Sequence, residues 1–271
     1  MDDILTALSP SKVAGAPKAN LFAFFRQFKR SSAAEIQEDR SSIRWHTQVP
    51  HAWFNGVLSL RPPRRHEPAY IAKTLDNFRA YRVTSCSWWL ETHLQPLGWQ
   101  AILDAFGFVL STDTPGMAVE LSSLPRSTAH SSQLMVRSVV DLETLAEWSQ
   151  TFVQGYGIPE EWEEPFYNLI ASLGLELPSR HYIAYLYGKP VATSSLFLGA
   201  GVAGIYNVCT IEEARGQGIG AIMTLTPLHQ AFSMGYRLGV LQSSELGFRV
   251  YQRLGFKTVC QMDHFYLETL T

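Results

Sequence analysis

The sequence has few cysteines and few charged residues. Of its 271 residues, three are cysteine and 17% are charged, with a formal net charge of −2. Because Cys86, Cys209 and Cys260 are odd in number and form no CxxC pair, a disulfide framework and a zinc site are both disfavoured. The weak net charge also disfavours a nucleic-acid surface. Three arginines within residues 61–65 form a local basic patch, which we expect to be a solvated loop.

Long apolar runs and an apolar leader are also missing. The longest apolar runs fall short of the roughly 20 residues that a membrane-spanning helix needs. The chain begins with Met1, Asp2 and Asp3, without a basic segment followed by an apolar one. Hydrophobic residues still make up 46% of the chain, enough for a packed core. We therefore expect a cytoplasmic protein, monomer or homodimer, with no membrane or nucleic-acid partner.

The chain divides near its midpoint. Residues 121–133 are rich in serine and contain Pro125, a composition typical of a linker. We predict an N-terminal domain over residues 1–124, a linker over 125–133 and a C-terminal domain over 134–271. The first 20 residues mix Ser, Pro, Ala and Gly, so a loose arm or a short capping segment is expected there, with the first helix starting near Leu21.

The second half predicts an alternating α/β pattern. Asp141 is a good N-cap for a helix, and glycines at positions 188, 199 and 201 are typical of hairpin turns. The predicted strands are 134–139, 181–187, 190–198, 203–210, 237–242 and 256–266, and the predicted helices are 142–156, 159–173, 219–234 and 245–254. The resulting order is β-α-α-β-β-β-α-β-α-β.

The first half looks like a degenerate copy of the second. Residues 54–57 match 206–208, residues 80–83 match 235–238, and residues 103–108 match 252–256, at similar separations. Between these landmarks the first half has two prolines instead of a glycine turn, and proline lacks a backbone donor. We therefore expect no phosphate site in the first half. Two unrelated α/β halves remain the alternative.

The most informative segment is a glycine turn between a strand and a helix. It consists of Arg215, Gly216, Gln217, Gly218, Ile219, Gly220 and Ala221. Glycines let the backbone approach a ligand closely, and the first turn of a helix offers free N–H groups at the positive end of its dipole. The segment therefore predicts a phosphate or pyrophosphate site.

Two phosphate-binding patterns fit this turn. One is G-x-G-x-x-A, typical of dinucleotide binding, and the other is R-x-x-G-x-G/A. A dinucleotide fold needs further βαβ units and an acidic residue after the next strand. Too few residues follow Ala221, and that strand ends with Leu241, Gln242 and Ser243. The second pattern is favoured, while a nicotinamide-dinucleotide enzyme and a turn that binds nothing stay open.

The stretch 206–256 resembles the core of the GCN5-related N-acetyltransferase (GNAT) family. The matching pieces are 207–210, the turn at 215–221, and a Gly247-x-x-x-Tyr251-x-x-Leu254-Gly255-Phe256 motif. The whole chain resembles tandem-domain members of the family with a degenerate N-terminal half. This implies an α/β fold (an α+β mixed sheet) of two GNAT-like domains. Each would be a mostly antiparallel twisted sheet flanked by helices, with a splayed central strand pair in the C-terminal one.

The resemblance implies an acetyl-CoA-dependent N-acyltransferase. An acetyl group would pass from acetyl-CoA to a primary amine, on a small molecule or peptide, by direct attack. Val208, Cys209 and Thr210 would lie along the pantetheine arm, with the Val208 N–H polarising the thioester carbonyl. The N–H groups of 217–221 would hold the pyrophosphate, assisted by the charge of Arg215. An acyl-CoA-binding module without transferase activity is the alternative.

Other site roles also follow from the resemblance. Tyr251 stands where the family often has its general acid, although it could simply pack in the core. Ser243 and Ser244 replace the Asn that contacts the cofactor in many relatives, which puts that contact in doubt.

The general base is not evident. His229 is expected to be structural, whereas Asp263 and His264 could approach the cleft. Cys209 is expected to be a buried strand residue. Aromatic residues that could line the acceptor pocket, or belong to the core, are Trp148, Tyr156, Trp162, Phe166 and Tyr167, with Trp88 and Trp89 in the first half.

Overall fold

The computed structural model describes residues 3–40, 42–59, 68–111, 114–127 and 131–270. These residues contain seven α-helices and twelve β-strands, the mixed α/β class predicted from the sequence. The helices are α1 (Pro10–Arg26), α2 (Pro68–Ala80), α3 (Trp99–Ala105), α4 (Leu142–Tyr156), α5 (Glu163–Leu173), α6 (Ile219–Ser233) and α7 (Glu245–Arg253). None of the described helices is both long and apolar enough to cross a bilayer.

The strands of the first half are β1 (Ala34–Glu38), β2 (Ser42–Thr47), β3 (Gly56–Ser59), β4 (Cys86–Glu91), β5 (Val109–Leu110) and β6 (Thr114–Glu120). Those of the second half are β7 (Leu134–Ser138), β8 (Ser179–Leu186), β9 (Lys189–Gly199), β10 (Val202–Thr210), β11 (Leu238–Gln242) and β12 (Lys257–Leu267). The element order predicted for the second half is confirmed.

Local signals explain why these elements begin where they do. Asp141 precedes α4, and its side chain accepts a hydrogen bond from the Thr144 N–H at 2.8 Å. Ser244 caps α7 in the same way, accepting from the Gly247 N–H at 3.2 Å. Each cap satisfies one of the backbone donors that the first helical turn leaves unpaired.

All twelve strands belong to one sheet. Its order is β1-β2-β3-β4-β12-β6-β11-β10-β9-β8-β7, with β5 beside β12. The last strand of each half is exchanged: β6 lies between β11 and β12, and β12 lies between β6 and β4. The two halves are therefore joined by backbone hydrogen bonds in the middle of the sheet, where β6 pairs with β11 and β12 and where β12 pairs with β4. The domain boundaries expected from the sequence stay a prediction, and residues 128–130 of the expected linker lie outside the described part of the chain.

The two halves repeat one plan, which supports the predicted duplication. The order β1-β2-β3-α2-β4-α3 recurs as β8-β9-β10-α6-β11-α7. Both α3 and α7 end with the same hydrogen bond, from Phe108 N–H to Leu103 C=O at 3.1 Å and from Phe256 N–H to Tyr251 C=O at 3.0 Å. Leu103 thus stands in the first half where Tyr251 stands in the second. The proline-containing segment and basic patch at 61–65 lie outside the described residues.

The prediction of a loose arm before Leu21 was wrong, because α1 begins at Pro10. Proline suits the first turn of a helix, where its missing N–H has no partner to lose. Tertiary contacts then hold the segment. Asn20 donates to the Gly199 carbonyl at 2.8 Å, and Gln242 donates to the Pro17 carbonyl at 3.0 Å. A segment with weak helical periodicity is therefore ordered by what it packs against.

Hydrophobic cores cover both faces of the sheet. On one face α6 and α7 bury residues such as Met223 and Leu228 against the strands of the second half. On the other face α1, α4 and α5 cover a core drawn from both halves, in which Phe25 stacks on Trp45 at 3.8 Å between ring centroids. Trp148 is fully buried in the same cluster. Burying one such side chain contributes about 2–3 kcal/mol, so the shared core stabilises the two halves together.

Candidate active site

The sheet opens between β10 and β11. These parallel strands pair only at Ala203 with Gly239 and at Gly204 with Val240, and both continue beyond that point. In β10 the register with β9 shifts between Tyr206 and Cys209. Bulges of this kind bend a strand and redirect its backbone. The predicted splayed pair is therefore confirmed.

Asn207 and Val208 lie within this bulge. Asn207 has φ +54°, in the left-handed region that Asn tolerates better than most residues. Its carbonyl accepts a hydrogen bond from Thr193 Oγ1 at 2.8 Å. The backbone of Val208 therefore leaves the regular ladder where the sheet opens.

The glycine turn ends at an uncapped helix. Gly216 and Gly218 have φ +77° and +76°, conformations that suit glycine. Gly218 is the N-cap of α6, no side chain bonds to this end, and the first turn contains no acidic residue. A Cβ added to Gly216 or Gly220 would meet no atom within 4 Å. The positive end of α6 thus faces open space without a side-chain anion of its own, as an anion site requires.

Arg215 ties this turn to its neighbours. Its Nε donates to the Thr210 carbonyl at 3.0 Å, at the end of β10. Its Nη2 donates to the Gly155 carbonyl at 3.0 Å, near the end of α4. The guanidinium is therefore held beside the turn by two backbone carbonyls, and its positive charge lies next to the helix end.

A cleft of about 710 Å³, here called the outer cleft, runs from the turn to α7. Most of the cofactor residues predicted from the sequence line it: Val208, Cys209, Thr210, Arg215, Gly216, Gly218, Ile219, Gly220, Ala221, Ser244 and Tyr251. Gln217 and Ser243 do not line it. One continuous surface therefore joins the end of α6 to the opening between β10 and β11.

A second space of about 290 Å³, here called the inner cavity, lies between the two halves. Its walls include Phe24, Trp53 and Trp89 of the first half and Tyr206, His181 and His264 of the second. The inner cavity and the outer cleft share four lining residues: Tyr156, Val208, Ser244 and Tyr251. The two spaces meet at the bulge of β10.

Tyr251 lies at this junction and keeps its proton at neutral pH. Its side chain is buried, and burial raises its pKa to about 12. The ring is held by an edge-to-face contact with Phe256 at 5.8 Å. A Cβ on Gly247 would lie 2.7 Å from Tyr251 Cε2, so only glycine leaves room for this ring. The arrangement provides a neutral hydroxyl that can donate a proton.

Both serines before α7 are engaged by the backbone. The Ser244 hydroxyl caps the helix, as described above, and Ser243 Oγ donates to the Ser244 carbonyl at 2.8 Å. Ser243 is buried and lines the inner cavity. A contact of either serine with a cofactor arm stays a prediction.

Two buried histidines line the inner cavity. Only His264 was a candidate from the sequence. His181 and His264 are 4% and 6% exposed. Burial lowers the pKa of His181 to about 4, and burial together with the nearby His51 lowers that of His264 to about 3. Within the described part of the structure, the Nε2 atom of each has no hydrogen-bond partner. Both are therefore uncharged imidazoles at neutral pH.

His181 is linked to the bulge of β10 by hydrogen bonds. Its Nδ1 lies 2.7 Å from Ser195 Oγ, and Asn207 Nδ2 donates to the same Ser195 oxygen at 3.0 Å. When Nδ1 donates its proton to Ser195, Nε2 keeps a free lone pair. The sequence signal for His181 was weak: it is the first residue of the predicted strand 181–187, and no motif marks it as functional.

Neighbouring residues of β12 face opposite sides, which separates the two candidates on that strand. His264 faces the inner cavity and stacks on Trp89 at 3.9 Å between ring centroids. The Asp263 carboxylate instead accepts hydrogen bonds from Thr92 Oγ1 at 2.9 Å and from Gln95 Nε2.

The remaining candidates divide between the cavity and the core. Of the predicted aromatic residues, Tyr156 and Trp89 line the inner cavity, whereas Trp88, Trp148 and Phe166 are fully buried core residues. Trp162 and Tyr167 do not line the cavity.

Two further residues have structural contacts. Cys209 is buried, which raises its pKa to about 11 and disfavours a nucleophilic thiolate. His229 Nε2 contacts the Pro125 carbonyl at 3.0 Å, in agreement with a structural role.

Comparison with known proteins agrees with this geometry. Residues 142–256 match the model of the acetyltransferase (GNAT) family, so the chain carries a GNAT-family domain over these residues. The match to this family supports acyl transfer as the general activity of the domain. No match was found among curated proteins.

Solved structures extend the likeness to the whole chain. A GCN5-related N-acetyltransferase from Kribbella flavida has a TM-score of 0.65 at 21% identity, covering 94% of this chain and 95% of that one. One from Sphaerobacter thermophilus has a TM-score of 0.61 at 14% identity, covering 96% and 93%. A tandem GNAT protein from the clavulanic acid biosynthesis pathway has a TM-score of 0.56 at 14% identity, covering 97% of each chain. At these identities the likeness shows the fold.

Proposed function

We propose that the protein is an N-acetyltransferase that transfers an acetyl group from acetyl-CoA to a primary amine by direct attack. One observation carries the proposal: the outer cleft and the inner cavity meet at Val208 and Tyr251. A donor in the cleft and an acceptor in the cavity would have their reactive groups side by side at this junction. The bulge of β10 and the neutral hydroxyl of Tyr251 lie beside them. The GNAT match over residues 142–256 supports acyl transfer in general.

The outer cleft suits coenzyme A. Its diphosphate is an anion, and the uncapped end of α6 offers backbone N–H groups and the positive end of a helix dipole. Arg215 adds a fixed positive charge next to this end. The arm of the cofactor would follow β10 from Thr210 towards Val208. Acetyl-CoA supplies an activated acyl thioester when it is bound.

Three groups of this chain divide the chemistry. The Val208 N–H would donate to the carbonyl oxygen on which negative charge develops, a contribution of about 3 kcal/mol to lowering the barrier. The Tyr251 hydroxyl would supply a proton to the leaving sulfur. His181 Nε2 would accept a proton from the amine nitrogen. That nitrogen becomes more acidic as the C–N bond forms, so a weakly basic neutral imidazole can serve.

The N-terminal half would complete the acceptor site without catalysing the reaction. Trp53 and Trp89 of that half line the inner cavity. Leu103 occupies the position equivalent to Tyr251 and has no hydroxyl to donate. We further propose a cytoplasmic protein, monomer or homodimer, whose partner is an amine on a small molecule or peptide and not a membrane or nucleic acid.

The test compares Tyr251→Phe with wild type by following free thiol released from acetyl-CoA with a panel of primary amines. We expect kcat to fall about 100-fold while the Kd for acetyl-CoA stays unchanged, because the hydroxyl acts on the leaving group. Tyr187→Phe, in an exposed turn, is the matched control and should behave as wild type. Equal turnover in Tyr251→Phe would show that Tyr251 only packs.

The same assay separates the alternatives. Tight acetyl-CoA binding by wild type, with no thiol release across the panel, would favour an acyl-CoA-binding module. Calorimetry with NAD and with CoA tests the alternative of a nicotinamide-dinucleotide enzyme. We expect heat of binding from CoA alone. Binding of NAD in preference to CoA would overturn the proposed donor.

A further inference from the structure

The inner cavity has an unusual lining for an amine site. Among the described residues that line it, none is Asp, Glu, Lys or Arg. Its polar atoms come from neutral groups: tyrosine and serine hydroxyls, amides, and the imidazoles of His181 and His264. A substrate group that keeps a full charge would enter without a counter-ion, which is costly in a buried space.

Nine of the described residues that line the cavity are Phe, Trp or Tyr, more than of any other kind. Phe24 stacks on Tyr206 at 4.0 Å between ring centroids, with an interplanar angle of 12°. Trp53 packs edge-to-face against Tyr156 at 4.9 Å, and both are partly exposed. Flat aromatic walls favour a flat aromatic ligand through offset-stacked and edge-to-face contacts.

The size of the cavity favours a small acceptor. Its volume of about 290 Å³ lies at the small end of ligand pockets, which span roughly 300–1,000 Å³. A molecule of one or two rings fits such a space, whereas an oligosaccharide does not. The imidazoles of His181 and His264 are among the lining groups, and a neutral imidazole accepts a hydrogen bond from an amine N–H.

We propose, resting on the proposed function, that the acceptor is a small aromatic monoamine without a second charged group. The ring lies against the aromatic walls formed by Trp53, Trp89 and Tyr206, and the amine points to the junction at Val208 and Tyr251. Polyamines and aminoglycosides would leave a further ammonium unpaired in the cavity. Amino acids would leave a carboxylate unpaired.

Matched substrate pairs test this proposal. The thiol-release assay compares 2-phenylethylamine with phenylalanine, which adds a carboxylate to the same skeleton, and hexylamine with 1,6-hexanediamine, which adds a second ammonium. We expect kcat/KM to be at least ~100-fold higher for the member of each pair with a single charged group. We also expect 2-phenylethylamine to exceed hexylamine. Turnover of phenylalanine or hexanediamine at least equal to that of its partner overturns the proposal while leaving the transferase function standing.

Variants locate the ring. Trp53→Ala should lower kcat/KM for 2-phenylethylamine about 10-fold without changing the Kd for acetyl-CoA, whereas Phe232→Ala, on the exposed side of α6, should change neither.

A binding measurement keeps the two proposals separable. Quenching of tryptophan fluorescence by 2-phenylethylamine, with CoA present, reports occupancy of the inner cavity without any turnover. Saturable quenching that is lost in Trp53→Ala, with no thiol release from any amine, would support the aromatic site and overturn the transferase function. Absence of saturable quenching and of turnover with 2-phenylethylamine would overturn the aromatic site.

Discussion

The buried imidazole of His181 should make the stability of the protein depend on pH. Its pKa is about 4 in the folded protein and about 6.5 in an unfolded chain. Because the folded pKa is lower, the unfolded chain binds the proton more readily between these values. The stabilisation is fully present above the unfolded pKa and is lost as the pH falls through the folded pKa. For a group this deeply buried the total loss is about 3 kcal/mol.

The perturbation is His181→Gln, which removes the titrating group and keeps a polar side chain. Between pH 7 and pH 5 the linkage relation gives a loss of about 2 kcal/mol for His181 alone. Wild type should therefore lose about 2 kcal/mol more free energy of unfolding over this interval than the variant does. Urea unfolding at the two pH values measures both differences.

The control is His93→Gln, because His93 is exposed on the N-terminal half. Its free energy of unfolding should change with pH as that of wild type does. The quantity compared is the change in the free energy of unfolding with pH. A loss of stability from repacking around residue 181 that is the same at both pH values therefore does not affect the comparison. If His181→Gln and wild type lose the same free energy between pH 7 and pH 5, burial does not lower the pKa of His181, and the reasoning is refuted.

Two glycine substitutions test the site and its packing. Gly220→Asp adds a carboxylate to the first turn of α6, where it should stabilise the fold by about 0.5 kcal/mol yet abolish CoA binding in calorimetry by repelling the diphosphate. Gly220→Asn, without the charge, should bind more tightly than Gly220→Asp, and equal CoA affinity of Gly220→Asp and wild type would remove the site from this turn. Gly155→Ala places a Cβ 2.5 Å from Cys209 Sγ, so urea unfolding should show a loss of about 1–3 kcal/mol. Gly15→Ala, with nothing within 4 Å, should show no loss, and equal effects of the two would refute the close contact.

The elements of the second half were predictable because their signals are local. The cap at Asp141 marks the start of α4. The hairpin turns at 187–188 and 200–201 were predicted from their glycines, and the residues there do have the positive φ that such turns need. The glycine turn was recognisable for the same reason, since its pattern and its strand-to-helix context lie within a few residues. Most residues predicted from this turn and from β10 do line the outer cleft.

Features that depend on distant parts of the chain were not predictable. Nothing in the local pattern of β6 or β12 reveals that each of them pairs with strands of the other half. α1 is ordered by contacts such as that of Asn20 with Gly199, far along the chain. The inner cavity combines walls from both halves, so the importance of His181 emerges only when Trp53 and Trp89 of the first half are found to line the same cavity.

The most direct test of the account is a crystal structure of the protein with acetyl-CoA. We expect the diphosphate of the cofactor to accept hydrogen bonds from the backbone N–H groups of residues 216–221. We also expect the thioester carbonyl within hydrogen-bond distance of the Val208 N–H, with the sulfur beside the Tyr251 hydroxyl. A cofactor bound away from the outer cleft, or with its thioester turned away from Val208, would contradict the account.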